Sequence, residues 1–562
     1  MRIWLAMIGL LALALAAPLR ADPNPPGIAA AHPLAAEAGM SVLRQGGSAV
    51  DAAIAVQAVL TLVEPQSSGI GGGAFMLFRD AASGRIEAWD GRETAPAAAT
   101  GSLFLDDDGK PLGFFEAVVG GRAVGVPGVL RMLADAHAAH GRLPWAELFT
   151  SAIHLAETGF RVSQRLHFLL ERDRHLASQP AAAAYFYDAD GAAWPVGHRL
   201  RNPALAATLR QIAADGADAL HSGPLAEAIV AAVRTHSSPG LLTLEDLAGY
   251  RAKLRQPVCI DYRQWSVCGM PPPTSGGVTV GQILGLLRGF DPADLAPGTT
   301  KGVHLVSEAA RLAYADRGAW LADSDFVAVP VEGLLDDAYL ARRAAAIDPD
   351  RAMGVAEAGD PLRHGAIPPT GRDLNQPSTT HFSIVDAAGN VVSMTASVEN
   401  AFGSRLLVGG FLLNNQLTDF SFEPTEADGT AVANRVEAGK RPRSSMSPTI
   451  VLNRDGSFRL AIGSPGGSRI IGYVAKTLVA VLDDGLPVQE AVGLPHHVNR
   501  NGPLELEDGS PLTALAPALR KLGHEVRTTT LNSGLHGIEF VDGQWRGGAD
   551  PRREGVVLFA TD

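Results

Sequence analysis

The sequence is poor in cysteine, in aromatic residues and in positive charge. Its 562 residues include two cysteines, 6% aromatic residues, and 47 lysines and arginines against 59 aspartates and glutamates, a formal net charge of −12. This acidic balance argues against nucleic acid as a partner, because proteins that bind phosphate backbones concentrate lysine and arginine on one face. The hydrophobic fraction of 46% excludes a disordered chain and predicts a large globular core.

The two cysteines, Cys259 and Cys268, are too few to build a zinc site of their own. They lie in QPVCIDYRQWSVCGM, where two β-rich runs flank a predicted turn at Arg263 and Gln264. That turn would place the cysteines opposite each other on adjacent strands. Either a cross-strand disulfide, which an oxidising compartment permits, or a pair of buried thiols fits this pattern.

Long hydrophobic runs are missing after the amino terminus. The first 21 residues, MRIWLAMIGLLALALAAPLRA, combine a basic start, an apolar run too short to span a bilayer comfortably, and a small residue, Ala21. This pattern predicts a secretory signal peptide cleaved near Ala21, with a membrane-anchoring helix as the alternative. We therefore expect a periplasmic or secreted protein that does not contact the membrane after signal removal.

Two common catalytic motifs are missing as well. The chain contains no G-x-S-x-G elbow and no H-E-x-x-H sequence. The glycine-rich SSGIGGGAF, residues 67–75, follows a predicted helix and precedes a predicted strand, which is the reverse of the order in a dinucleotide-binding loop. We therefore expect close backbone packing at these glycines, not a cofactor.

Helical periodicity is typical of the first half of the chain, and strand patterns of the second. Two amino-terminal helices are predicted in HPLAAEAGMSVLRQGG and SAVDAAIAVQAVLTLVEP, and further helices at 127–140, 144–158, 202–214, 224–235, 279–287, 302–322 and near 472–484. Residues 355–378 lack an apolar period and are rich in proline, glycine and charge, which predicts a tether. Sheets sandwiched between helical layers are the predicted architecture, with a doubly wound sheet as the alternative.

A pair of hydroxyls marks the point where the tether meets a strand. In NQPSTTHFSIVDAAGNVVSMTAS the turn AAGN predicts a β-hairpin in which Thr379 falls opposite Ser397. An ordinary β-branched strand residue is the simpler interpretation of Thr379 alone. If the chain were cut before Thr379, however, the hydroxyl would gain a neighbouring α-amine of pKa about 8 that could act as its base. Such a site would need neither histidine nor metal.

A glycine-rich turn could complete an acyl-transfer site. GSPGGSRI, residues 463–470, ends a predicted strand, and its glycine amides are unobstructed by side chains. Backbone N–H groups of this kind can stabilise a developing oxyanion. An ordinary glycine turn is the alternative.

Together these stretches resemble the γ-glutamyltransferases, amino-terminal-nucleophile hydrolases that are made as one precursor and cut themselves into two subunits. The similarity runs from HPLAAEAG to the carboxyl terminus and includes, in family order, VDAAIAVQAVLTLVEPQSSGIGGG, DGRETAP, VGVPG, PPPTSGG, TTHFSIVD, LLNNQLTDF, KRPRSSMSPTIV and GSPGGSRII. The resemblance implies an α+β fold, the four-layer αββα sandwich, without cofactor or metal. It divides the mature chain into a large subunit, 22–378, that ends in the tether, and a small catalytic subunit, 379–562.

The resemblance also implies the catalytic residues. Thr379 would be the nucleophile, exposed by cleavage of the bond between Ser378 and Thr379. Ser397 matches a hydroxyl that assists the nucleophile and self-cleavage, and Gly466 and Gly467 match the oxyanion-hole glycines.

Five further residues match the family residues that bind the α-amino acid part of a substrate. Planar, cationic Arg92 would hold the α-carboxylate together with Ser444 and Ser445. Gln416 and Asp419 would hold the α-ammonium. Without the resemblance, a structural salt bridge for Arg92 and a turn for the two serines are the simpler interpretations.

One position departs from the family pattern. Glu399, in SVENAFGS, stands where glutathione-cleaving members carry asparagine. An ionised carboxylate only accepts hydrogen bonds, so Glu399 could hold an ammonium but would repel a nearby carboxylate. We expect a hydrolase or transferase for γ-glutamyl amides such as glutathione, with water or amino acids as acceptors. A glutaryl- or cephalosporin-type acylase, a poly-γ-glutamate-acting enzyme and a non-catalytic periplasmic binding protein remain alternatives.

Overall fold

A computed structural model describes residues 25–362 and 378–560. The predicted signal peptide and residues 363–377 of the predicted tether lie outside these ranges. Within them, no helix combines the length and the apolar character that a bilayer crossing requires.

The described residues form twenty strands. In chain order they are β1 (Gly27–Ala30), β2 (Gly73–Arg79), β3 (Ile86–Gly91), β4 (Phe160–Arg161), β5 (Arg199–Leu200), β6 (Lys253–Arg255), β7 (Val258–Tyr262), β8 (Trp265–Gly269), β9 (Thr380–Val385), β10 (Val391–Ser397), β11 (Leu407–Val408), β12 (Phe411–Leu412), β13 (Thr449–Asn453), β14 (Phe458–Gly463), β15 (His497–Val498), β16 (Leu504–Glu507), β17 (Val526–Thr529), β18 (His536–Val541), β19 (Gln544–Ala549) and β20 (Val556–Phe559).

Most of these strands belong to two antiparallel sheets. The first sheet has the order β20-β1-β9-β10-β2-β3-β6, and the second has the order β19-β18-β14-β13-β8-β7. Phe75 and Leu77 of the first sheet share one apolar cluster with Ile450 and Leu460 of the second, so the two sheets stack face to face. Each sheet contains strands from both sides of residue 378.

Eighteen α-helices surround the sheets in the described ranges. They are α1 (Pro33–Arg44), α2 (Ala49–Val63), α3 (Phe114–Val118), α4 (Val129–His140), α5 (Thr150–Thr158), α6 (Gln164–Arg172), α7 (Pro180–Phe186), α8 (Pro203–Asp215), α9 (Asp218–His221), α10 (Gly223–Thr235), α11 (Leu244–Gly249), α12 (Gly276–Leu287), α13 (Thr300–Trp320), α14 (Val331–Leu334), α15 (Asp337–Ala344), α16 (Ile470–Leu482), α17 (Val488–Gly493) and α18 (Ala516–Lys521).

The helices cover both outer faces of the stacked sheets. Helices α1 and α2 share a core with the outer face of the first sheet, including Met76 and Phe382. All fifteen residues of α2 are buried, which explains why its sequence is apolar around its whole circumference. Helices α12, α13 and α16 pack with the second sheet. The predicted αββα sandwich is confirmed, and the doubly wound alternative is wrong.

The predicted helices are present, with ends that differ by a few residues. Helix α13 begins at Thr300, two residues before the predicted start, because the side chain of Thr299 accepts a hydrogen bond from the Gly302 amide at 3.0 Å. The predicted helix at 144–158 opens with a 3₁₀ turn, Trp145–Phe149, before α5.

Close backbone packing at the glycine-rich stretch is confirmed. A Cβ atom on Gly72 would lie 2.1 Å from the carbonyl oxygen of Ser397, so only glycine lets this loop approach the end of β10. Cys259 and Cys268 face each other across β7 and β8 and form a disulfide, with their Cα atoms 4.0 Å apart. Of the two alternatives for these cysteines, the structure has the disulfide.

Candidate active site

The hairpin of β9 and β10 brings the two predicted hydroxyls together. Thr380 pairs with Ala396, so the next position places Thr379 opposite Ser397. Their hydroxyl oxygens are 3.1 Å apart, and both residues are buried. Ser397 Oγ also accepts a hydrogen bond from the Glu399 amide at 2.9 Å, which fixes the serine side chain beside Thr379. The predicted pairing is confirmed.

The backbone at Thr379 is strained and held on both sides. Its φ of 124° is unfavourable for a β-branched residue, and such strain is concentrated at functional sites. Arg553, which is buried, donates from Nη1 to the Thr379 carbonyl oxygen at 2.9 Å. On the other side, Ser378 Oγ donates to the Gln66 carbonyl oxygen. The peptide bond between Ser378 and Thr379 is therefore fixed in an unusual conformation.

A single small cavity joins Thr379 to most of the other predicted site residues. Nine of the ten line it: Arg92, Thr379, Ser397, Glu399, Gln416, Asp419, Ser444, Ser445 and Gly467. Ser378, Met446 and Ile470 complete the lining. The cavity volume is about 20 Å³, which is enough for a water molecule and not for an amino acid. Ser378 thus helps to close the space beside Thr379.

The tenth residue, Gly466, lies next to the cavity in the turn between β14 and α16. Gly466 and Gly467 have φ values of 137° and 59°, which side-chain-bearing residues rarely adopt. A Cβ atom on Gly466 would also lie 2.6 Å from the ring of Tyr473. The turn is anchored from α13, because the Tyr314 hydroxyl donates to the Ser468 carbonyl oxygen. The two adjacent glycines precede α16 and carry no side chains, and Gly467 lines the same cavity as Thr379.

The far end of the cavity is charged. Arg92 forms a hydrogen-bonded ion pair with Asp419 through Nη2, and its Nε donates to the Pro442 carbonyl oxygen at 3.1 Å. Gln416 donates to the same Asp419 oxygen at 3.0 Å. Arg92 Nη1 is buried without a hydrogen-bond partner among the described residues, with Glu93 the nearest carboxylate at 3.8 Å. Buried, incompletely bonded charge is costly unless a ligand completes it.

The predicted serines lie beside this charged group. Ser444 Oγ accepts a hydrogen bond from the Met446 amide at 3.1 Å. Ser445 Oγ accepts one from Nη2 of Arg317 at 2.8 Å, and the same guanidinium donates through Nε to Ser275 at 2.8 Å. Arg317 lies on α13 and is buried, and its hydrogen bond fixes the position of the Ser445 hydroxyl.

Two further buried carboxyl groups give the charged end an acidic character. Burial raises the pKa of Glu399 well above its usual value, and the negative charge of Asp419 raises it further. Glu399 accepts a hydrogen bond from Asn415 at 2.5 Å. Burial also raises the pKa of Glu93 to about 8, although the positive charge of Arg92 opposes this shift. Both acids are therefore held towards their neutral forms.

The lining residues do not form a typical transition-metal site. The described residues that line the cavity include no histidine or cysteine. The two carboxyl groups in the lining, those of Glu399 and Asp419, lie beside Arg92. Elsewhere, His304, Glu308 and His524 bring possible ligand atoms within 4.8 Å of one another. His304 and His524 already hydrogen bond to each other at 2.7 Å, and Glu308 accepts from the Met353 amide at 2.8 Å.

Sequence reasoning missed four residues that complete this site. Arg553 contacts the Thr379 carbonyl oxygen, and Arg317 contacts Ser445. Glu93 adjoins Arg92, and Asn415 adjoins Glu399. Glu93 and Asn415 fall within the quoted motifs DGRETAP and LLNNQLTDF, which could have drawn attention to them. Arg553 and Arg317 lie outside every recognised motif.

Comparisons with known proteins agree with this geometry. A family model described as Gamma-glutamyltranspeptidase matches residues 35–560. A glutathione hydrolase proenzyme of Escherichia coli (strain K12) is 38% identical over 540 residues, which cover 93% of this chain and 90% of that protein. An acylase ACY 1 proenzyme of Pseudomonas sp. (strain SE83) is 37% identical over 537 residues, covering 94% and 92%.

A solved structure has the same architecture. The cephalosporin acylase from Bacillus halodurans superposes with a TM-score of 0.81 at 27% sequence identity, covering 98% of this chain and 99% of that one. The alternative of a non-catalytic binding protein is not supported, since the curated relatives compared are enzymes or their proenzymes. The match over nearly the whole chain shows that this protein belongs to the γ-glutamyltranspeptidase family of enzymes.

Proposed function

We propose that this protein cleaves γ-glutamyl amides, glutathione among them, through an ester on Thr379 and passes the γ-glutamyl group to water or to an amino acid. The observation that carries this proposal is the buried pair of hydroxyls, Thr379 and Ser397, 3.1 Å apart at a strained backbone position. The relatives named as glutathione hydrolase proenzymes support the substrate class.

The first step is self-cleavage between Ser378 and Thr379. Thr379 Oγ attacks the carbonyl carbon of Ser378, the peptide C–N bond breaks, and an ester forms on the threonine oxygen. The hydroxyl proton passes through Ser397 to the departing Thr379 nitrogen. Water then hydrolyses the ester, which leaves a carboxylate on Ser378 and a free amine and hydroxyl on Thr379. The strained φ of Thr379 favours this step, because cleavage relieves it.

In the mature enzyme the new amine serves as the general base. It takes the proton from Thr379 Oγ as this oxygen attacks the γ-carbonyl carbon, and it returns a proton to the departing amine. The amides of Gly466 and Gly467 stabilise the oxyanion of each tetrahedral intermediate. Departure of the segment that ends at Ser378 enlarges the small cavity, which Ser378 lines in the uncut chain.

The charged end of the cavity is suited to a zwitterionic α-amino acid group. Arg92 would bind the α-carboxylate with Ser444 and Ser445, while Asp419 and Gln416 would bind the α-ammonium. The ion pair between Arg92 and Asp419 places opposite charges side by side, and a substrate carboxylate and ammonium are separated by a similarly short distance. This arrangement favours a γ-glutamyl group over a glutaryl group, which lacks the ammonium.

We further propose that residues 22–378 and 379–562 form the two subunits of a periplasmic or secreted enzyme. Each sheet contains strands from both sides of the cleavage position, so the two pieces would remain associated after the cut. The export route follows from the sequence pattern of residues 1–21.

An acylase for glutaryl side chains is the second candidate. The likeness to a cephalosporin acylase favours it. Turnover of γ-glutamyl-4-nitroanilide and glutaryl-4-nitroanilide separates the two candidates. We expect faster turnover of the γ-glutamyl compound; cleavage of the glutaryl compound alone would contradict the roles assigned to Gln416 and Asp419.

A further inference from the structure

An apolar cavity lies away from the candidate active site, between helix α13, helix α16 and strand β15. Its volume is about 220 Å³, and its lining includes Val303, Val306, Val479, Leu494 and Leu512. It shares no lining residue with the candidate active-site cavity. Because an apolar cavity of about 150 Å³ can hold benzene, this cavity has room for a ligand of about six carbons.

Two polar side chains belong to this otherwise apolar lining. Lys476 of α16 and His497 of β15 both line the cavity and are 6% and 7% exposed. Lys476 Nζ donates to the carbonyl oxygens of Leu494 at 3.0 Å and Pro495 at 3.3 Å. The ring of His497 makes no hydrogen bond to another described residue. A mainly apolar pocket with a few polar groups is typical of a small-molecule binding site.

Lys476 is buried without a counterion. It forms no ion pair within residues 25–362 and 378–560. The carboxylates of Glu507 and Asp550 pair with Arg552 instead, at 2.5 and 3.0 Å. Burial lowers the pKa of Lys476 to about 7, and the positive charge of Arg552 lowers it further. A carboxylate inside the cavity would supply the missing partner and stabilise the ammonium form.

The hydrogen-bonding capacity of these two side chains matches a carboxylate. An ammonium has three N–H bonds, and the carbonyl oxygens of Leu494 and Pro495 occupy two of those of Lys476. Burial lowers the pKa of His497 to about 3, and the charge of Lys476 lowers it further, so its neutral ring has one N–H to donate. A carboxylate could accept from both groups, and its bond with the buried ammonium would be charge-assisted.

We propose that this cavity binds an aliphatic monocarboxylate of about six carbons, with the carboxylate at Lys476 and His497 and the hydrocarbon chain in the apolar part. An amino acid of the same size is disfavoured, because its ammonium would be buried in apolar surroundings near the charge of Lys476. The site does not depend on the proposed γ-glutamyl transfer, since its lining is separate from that of the candidate active site.

Two ligands of equal chain length test the proposal by isothermal titration calorimetry of the purified protein. Hexanoate carries the carboxylate and hexan-1-ol does not, so we expect hexanoate to bind at least about tenfold more tightly. Lys476→Met keeps an unbranched side chain but removes the ammonium. It should reduce the affinity for hexanoate about tenfold and leave that for hexan-1-ol nearly unchanged. Lys521→Gln, at an exposed lysine, is the matched control and should bind both ligands as the wild type does.

A second variant keeps the test decisive if Lys476→Met does not fold. Val306→Phe fills part of the cavity and leaves Lys476 in place, so it should weaken the binding of both ligands. Thermal unfolding shows which variants are folded. Absence of hexanoate binding to the wild type up to about 10 mM would overturn the proposal. So would unchanged hexanoate binding in the folded variants of Lys476 and Val306, or equal affinity of the wild type for the two ligands.

Discussion

The two ends of the candidate active-site cavity are built on different physical principles. At one end, Thr379 and Ser397 are neutral hydroxyls placed by a single hairpin, 18 residues apart in sequence. At the other end, Arg92 and Asp419 are buried charges 327 residues apart, held by contacts between distant loops. The hydroxyl end has the geometry for bond making, whereas the charged end has unsatisfied bonding capacity that a ligand can fill. Substitutions at the two ends should therefore affect different measurements.

Thr379→Ala should have the largest effect, because it removes the proposed nucleophile of both self-cleavage and turnover. We expect a single uncut chain and a loss of at least about a thousandfold in kcat/KM. Gel electrophoresis and a γ-glutamyl anilide assay measure the two effects. Thr380→Ser is the matched control and should be cut normally; cleavage of the alanine variant at the same bond would rule out Thr379 as the nucleophile.

Arg92→Lys should impair the charged end of the cavity and leave the hydroxyl end unaffected. It keeps a positive charge but loses the planar fork, so we expect self-cleavage to proceed while kcat/KM for γ-glutamyl substrates falls about a hundredfold, mainly through KM. Subunit formation and steady-state kinetics on the same preparation give both results. Loss of self-cleavage in this variant would instead show that Arg92 has a structural role.

Glu399→Asn tests whether ionisation of Glu399 affects substrate binding at the charged end of the cavity. Because the pKa of Glu399 is raised, rising pH ionises it and should strengthen binding of the substrate ammonium, so KM should fall with pH. The asparagine variant should lose this pH dependence, and its preference for γ-glutamyl over glutaryl anilide should fall about fivefold. KM profiles for both enzymes provide the comparison. A wild-type slope that persists in the variant would exclude Glu399 as the titrating group.

Glu93→Gln should have the smallest effect, on stability alone. The pKa of Glu93 is raised to about 8 in the folded protein, so the folded state binds more protons than the unfolded state between about pH 4.5 and 8. Stability from this group is complete below that range and is lost as pH rises through it. Between pH 5.5 and 8.5, Tm should therefore fall by a few degrees more in the wild type than in the variant. Parallel Tm curves would contradict the raised pKa.

The contrast between the two ends of the cavity also explains which parts of the site can be predicted from the sequence. A turn and two alternating strands predict the pairing of Thr379 with Ser397 because the hairpin is local. The amphipathic and apolar patterns of the helices likewise predict the outer layers. The ion pair of Arg92 with Asp419 and the hydrogen bond of Arg553 to Thr379 depend on how distant loops meet, which no local period encodes.

The apolar pattern of an internal helix also does not predict which of its charged residues are buried. Apolar spacing predicts helix α13, yet two polar side chains of this helix point towards the site. Arg317 donates to Ser445, and Tyr314 donates to Ser468 in the glycine turn. The family resemblance could assign roles to residues within recognised motifs. It could not reveal Arg317 or Arg553, since both lie outside those motifs.

The central claim is that a backbone cut liberates the amine that activates Thr379. Amino-terminal sequencing and mass spectrometry of purified, catalytically active protein test it directly. We predict two polypeptides, with the shorter one beginning TTHFSIVD at Thr379. Active protein in which residues 378 and 379 remain covalently joined in every molecule would contradict the claim.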